Sequence, residues 1–119
     1  MTVLMLGRHL ELGLYRSEFL QGHAYKVIFP KTKAQAFCAI QKGGFDVVVL
    51  SYSLSNDTAQ EMVDLLEQHC PRCPIIALSD QRWDDRKIQP DHTVLASEGP
   101  DALLHTLEQI QQKRLYGVK

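Results

Sequence analysis

Five short apolar runs divide the chain, and between them lie longer stretches in which apolar residues return every three or four positions. The runs are Thr2 to Leu6, Tyr25 to Phe29, Val47 to Leu50, Ile75 to Leu78 behind a proline, and Thr93 to Ala96. Unbroken runs rich in β-branched residues suit strands buried on both faces, as in a parallel sheet covered by helices.

The intervening stretches predict helices. One spans about 10–21, with Leu10, Leu14, Tyr15 and Phe19 as its apolar positions and Gly13 as a weak point. A second spans about 33–42, where Ala36, Phe37 and Ile40 share a face and Gly43-Gly44 supplies a stop. The third carries Ala59, Met62, Val63, Leu66 and Cys70 at helical spacing. Capping residues Ser55 to Thr58 open it and Pro71 closes it. The last runs over about 100–115, with Leu103, Leu107 and Ile110 in register and Pro100 suited to its first turn. The stretch 81–91 breaks the pattern: it is polar and charged, Trp83 is its one large apolar residue, and at most a turn or two of helix is expected there.

Strand–helix alternation repeated in this way implies an α/β fold with a parallel sheet and right-handed crossovers. Ligands gather at the C-terminal edge of such sheets. The residues of interest are then Gly7, Arg8, Pro30, Ser51 to Ser53, Ser79, Asp80 and Ala96 to Glu98.

Composition narrows the function classes. With 119 residues, the chain reads as one domain over 1–116 with a tail over 117–119. Thirteen basic residues against 14 acidic ones, a net charge of -1, argue against nucleic acid as the partner. No apolar run approaches the ~20 residues needed to span a bilayer, so no membrane association is expected. The start lacks the basic region and cleavage site of a signal peptide. Three cysteines do not make a disulfide framework, which points to a reducing cytoplasm.

The segments Gly43 to Leu50, Pro74 to Ser79 and Ser97 to Leu104, in this order and spacing, resemble a response-regulator receiver domain of the CheY-like superfamily over nearly the whole chain. The resemblance implies a flavodoxin-like five-stranded parallel sheet of order 2-1-3-4-5 with helices on both faces. The distance from Ser79 to Ala96 is short for a full receiver, so the helix between strands 4 and 5 is expected to be shortened or missing.

Family chemistry needs an acidic pair after the first strand, a nucleophilic aspartate ending the third, a Ser or Thr ending the fourth and a Lys ending the fifth. In this chain those positions fall on Gly7 and Arg8, on Ser51, on Ser79, and on Ala96 or Ser97. Only the hydroxyl at Ser79 survives. Arg8 puts a cation where Mg²⁺ would take carboxylate oxygens. Ser51 is a poor nucleophile without an adjacent base. Asp46 lies five residues earlier, about 16 Å along a strand, too far to replace it. The resemblance therefore implies a degenerate phosphoacceptor pocket and a pseudo-receiver acting by protein–protein contact in a two-component-type pathway. It is not an enzyme and needs no cofactor or metal. Its partner would be a sensor kinase, a downstream effector or a second copy of itself, docking on the face around Trp83, Leu95 and His105.

Other chemistry stands beside this reading. Asp57, Asp80 and Glu98 all belong near the same edge, and a relocated acidic site would restore phosphorelay activity. Their simpler roles are a helix cap and solvated loop charges. Cys70-Pro71-Arg72-Cys73 has the spacing of thiol–disulfide enzymes. Here it ends a helix instead of starting one, so the helix dipole disfavours a thiolate and the pair reads as structural thiols. His69 beside that pair lacks a fourth ligand for zinc. Neither a dinucleotide fingerprint nor a nucleophile elbow is present. Arg8 is expected to pair with Asp80 or Glu98 and so hold the edge in one state without metal.

Overall fold

Val47–Ser51 (β3) is buried along its whole length, and the rest of the sheet is laid out around it. The computed structural model describes residues 1–8, 10–79 and 90–115, with the side chains of 10–12, 114 and 115 set aside. Thr2–Leu6 (β1) pairs with Lys26–Ile28 (β2) on one side and with β3 on the other. Ile75–Ser79 (β4) then follows β3, and His92–Leu95 (β5) forms the far edge. All four pairings are parallel and the order is 2-1-3-4-5, as expected.

Strand side chains alternate in direction, so each run feeds two cores. Leu4, Leu6, Val48, Leu50 and Ala77 face Lys33–Lys42 (α2) and Asn56–His69 (α3), meeting Ala36, Ile40, Met62 and Leu66. Val3, Met5, Val47, Val49, Ile76, Leu78 and Val94 face Leu10–Gln21 (α1) and Pro100–Leu115 (α4), meeting Leu20, Leu103, Leu107 and Ile110.

The helix ends follow local chemistry. Thr32 caps α2, its hydroxyl accepting from Gln35 N at 3.1 Å, while the Gln35 side chain accepts from Lys31 N at 3.0 Å. Ser55 caps α3 by accepting from Thr58 N at 3.2 Å. Gly43 closes α2 at a φ of 74°.

Three expectations change. On α1 the apolar face is not Leu14 and Tyr15, which are 41% and 56% exposed. Gly13, Ser17 and Leu20 face inward instead. A side chain at Gly13 would overlap the Phe29 ring, so the glycine that weakens the helix is what lets that ring lie against it. At the fifth strand, pairing stops at Leu95, and Ala96–Glu98 forms a 3₁₀ turn leading into α4. Finally, Cys70 and Cys73 are joined in a disulfide and are not free thiols; Cys38 remains free and exposed. The turn after α3 carries a hydrogen bond from Cys73 N to Cys70 O at 3.2 Å. It brings the two Cα atoms to 5.6 Å, within disulfide reach.

Trp83, Asp80 and the expected shortened helix all lie outside the described residues, as does the proposed tail.

Candidate functional site at the C-terminal sheet edge

The acidic residue on which β3 could have ended sits at its other end. Asp46 Oδ2 accepts from Thr2 N at 2.7 Å, and Asp46 N donates to Thr2 O at 2.8 Å. Asp91 repeats the arrangement one layer on: its Oδ2 accepts from Ile75 N at 2.8 Å and its N donates to Ile75 O at 2.9 Å. Both carboxylates therefore tie down the N-terminal edge and are not offered to a ligand.

At the C-terminal edge hydroxyls take over. Ser51 ends β3 and is 4% exposed. Its Oγ accepts from Ser53 N at 3.2 Å and from the Ser53 hydroxyl at 3.0 Å. Ser53 Oγ in turn accepts from Arg8 N at 2.8 Å, so the loop after β1 is latched to the loop after β3. Gly7 sits between them: a Cβ there would lie 3.1 Å from Ser51 Cβ and 3.5 Å from Ser53 Oγ. Ser53 belongs to the stretch Ser51 to Ser53 expected at this edge, but its role as the link to Arg8 was not foreseen. The Ser-x-Ser spacing that follows a buried strand, typical of hydroxyl-backed turns, is the feature that marks it.

Ser79 ends β4, buried, one residue beyond Leu78, the register partner of Ser51. The two hydroxyl positions thus stand on neighbouring strands at one edge. Ala96 does not join them. It lines a small cavity of about 140 Å³ with Tyr15, Arg16, Leu78, Pro100 and Leu103, on the α1 and α4 side.

Arg8 turns the other way. It lines a cavity of about 240 Å³ with Lys31, Lys33, Thr58 and Met62, between the starts of α2 and α3. Glu98 instead lines a shallow depression with Thr93, Leu95, Asp101 and His105 along the outer edge of β5. The expected pairing of Arg8 with Glu98 is therefore not what the structure holds, because the two residues line cavities on different strands. Lys33 pairs with Glu61 at 2.9 Å.

Asp57 lies exposed in the first turn of α3, and Glu98 is exposed in the 3₁₀ turn. Among the described residues, no group of three His, Cys, Asp or Glu side chains is placed to hold a metal ion. His105, exposed, contacts the Gln109 side chain at 3.1 Å. Leu95, at 44% exposure, stands out on the edge strand.

A parallel sheet of this order, helices on both faces and a site at the ends of β1, β3 and β4 can be compared with solved structures. Chemotaxis protein CheY4 of Vibrio cholerae superimposes with a TM-score of 0.75 at 21% identity, covering 91% of this chain and 96% of that one. The chain has the receiver fold. The response regulator TrrA of Thermotoga maritima, solved with Mg²⁺ and beryllofluoride, matches this fold with a TM-score of 0.77 at 17% identity over 91% of this chain and 96% of its own. TrrA has also been solved in complex with the histidine kinase ThkA. A third similar structure is described as one of a family of redox sensors in streptococci that evolved from two-component response regulators. It matches with a TM-score of 0.79 at 19% identity, over 97% of this chain and 52% of that one. No sequence-family model matches the receiver-fold chain, and no curated protein matches it in sequence. Among the described residues no helix is long and apolar enough to cross a membrane.

Proposed function

We propose that the chain is a pseudo-receiver: a cytoplasmic signalling module that does not take up a phosphoryl group and acts through protein contact. The observation that carries this reading is the latch among Arg8 N, Ser53 and Ser51. It fills the space where a receiver holds its nucleophile and metal with hydroxyls already bonded to one another. A hydroxyl that accepts two hydrogen bonds, with no base beside it among the described residues, is a poor nucleophile. Gly7 and Arg8 after β1 supply none of the carboxylate oxygens that a divalent cation takes.

Signal transmission would then rest on docking. The outer edge around Leu95 and His105 offers an exposed apolar residue and, among the described residues, an unpaired strand edge of the kind another chain can pair with. The complex of TrrA with its histidine kinase supports a signalling protein as partner, and self-association is the other form of the same contact.

The test is an amide NMR titration with Mg²⁺ followed by beryllofluoride. Spectra unchanged at Gly7, Arg8, Ser51 and Ser79 are expected. Saturable shifts centred on those residues would return phosphoryl chemistry through a relocated acidic site.

A second reading rests on the Cys70–Cys73 bond and on the redox-sensor description of the streptococcal neighbour. In a reducing compartment such a disulfide is a transient or redox-sensing one. Two thiols would give up two protons and two electrons to glutathione disulfide, which leaves as two molecules of glutathione. Thiol counting across a glutathione series checks it: two thiols gained on reduction, at buffer potentials found in cells, support a sensor. A pair that stays reduced throughout rejects it.

A further inference from the structure

The cavity beside Arg8 is lined by three cationic residues, Arg8, Lys31 and Lys33, and by the hydroxyl residues Thr32, Ser55 and Thr58; among the described residues no carboxylate lines it. This is a local bias and not a property of the chain, whose basic and acidic residues number 13 and 14. Topology produces it. The order β2-β1-β3 sets the loops after β1, β2 and β3 side by side, and each contributes basic or hydroxyl groups to one concavity.

The three cations differ. Lys33 is neutralised in part by Glu61 at 2.9 Å, and its ammonium stands 5.5 Å from the Phe37 ring centroid. Arg8 and Lys31 are exposed at the rim. A concave site walled by one sign of charge concentrates counter-ions above their bulk level. The floor is apolar, from Leu6, Pro30, Ala36, Leu54 and Met62. The N-termini of α2 and α3 open beside it and add positive field, offset in part at α3 by the exposed Asp57 of its first turn.

We propose that this cavity binds a small organic phosphate, with Arg8 and Lys31 taking the phosphoryl oxygens and the apolar floor taking a compact carbon skeleton. At about 240 Å³ the space is smaller than the ~300–1,000 Å³ typical of drug-sized ligands, which argues for a ligand below nucleotide size. A guanidinium matches phosphate geometry with paired N–H donors, and a lysine adds a point charge. The site lies beside the Ser51 latch, not within it, and does not depend on whether Ser51 is reactive. Occupancy would instead hold the loop after β1 in place, since Arg8 N is bonded to Ser53.

Phenyl phosphate and inorganic phosphate, titrated separately into the intact chain and followed by amide NMR, test the proposal. Saturable shifts at Gly7, Arg8, Lys31, Thr32 and Thr58 are expected. Phenyl phosphate should bind several-fold tighter than inorganic phosphate, and raised salt should weaken both. The double variant Arg8→Ala/Lys31→Ala should lose tenfold or more in affinity while keeping the wild-type spectrum elsewhere. Lys42→Ala, in the last turn of α2 and away from the cavity, should bind as the parent does. No saturation at millimolar ligand, or equal weakening by Lys42→Ala, overturns the site. Equal affinity for the two phosphates overturns the organic ligand.

Discussion

A Cβ built on Gly7 would lie 3.1 Å from Ser51 Cβ, closer than side-chain carbons ordinarily approach. The first residue after β1 and the last residue of β3 are therefore spaced for a glycine. Ser51 belongs to a fully buried strand and has little freedom to retreat. Gly7→Ala is expected to cost about 1–3 kcal/mol, the usual range for overpacking. Gly7→Asp, which adds a larger side chain at the same point, should cost at least as much. Urea denaturation of the two variants checks this, and a neutral Gly7→Asp would show that the loop yields.

Gly13 makes a larger demand. A methyl group there overlaps the Phe29 ring, so Gly13→Ala should destabilise the fold by about 1–3 kcal/mol even though alanine is the better helix former. Phe29→Leu should relieve much of that cost when combined with it. A double-mutant cycle by thermal melting reads the coupling.

Ser17 on α1 is 5% exposed, and among the described residues its hydroxyl finds no hydrogen-bond partner. A buried hydroxyl without a partner loses its hydration with no return. Ser17→Ala is expected to be neutral or to stabilise the protein by about 1 kcal/mol, in contrast with most buried substitutions. A lower midpoint in urea would show that the hydroxyl is satisfied in solution.

Tyr25 is the described group with a displaced titration. Burial raises its phenol above the ordinary value of about 10, and the Glu108 carboxylate raises it further. A folded-state value above the unfolded one means the native protein binds its proton more tightly. The contribution to stability is complete below pH ~10 and is lost as pH rises through the folded-state value. Tyr25→Phe should flatten the alkaline part of the stability–pH curve, measured by urea unfolding at rising pH. Glu108→Gln should shift the phenol back toward its usual value, seen in the ultraviolet titration.

Much of the architecture could be read from residue order. Val47 to Leu50 marks the middle strand because nothing polar interrupts it, and Ser55 and Pro71 bracket α3 closely. The reading fails where small residues do the work of large ones. On α1 the inward positions include Gly13 and Ser17, while Leu14 and Tyr15 face solvent, so hydrophobic periodicity misplaces two of its four apolar positions although Phe19 packs against the core as expected. The candidate site shows the same split. Gly7, Arg8, Ser51 and Ser79 are placed at the edge by strand ends alone. Lys31, and the bond of Ser53 to Arg8 N, enter through loop geometry, which has no periodic trace. The disulfide was missed because counting cysteines addresses frameworks, whereas Cys70 and Cys73 meet through one local turn.

The sheet order also sets a schedule. β1 lies between β2 and β3, and its second edge is met only when Val47 to Leu50 arrive. During synthesis β1 must wait more than forty residues for that neighbour, bare on one side. Non-local parallel pairing of this kind is slow to form. The first helical pair to be completed, α2 with α3, cannot close its core before β3 is threaded beside β1. Chaperone demand should therefore be greatest for fragments that stop just short of residue 47.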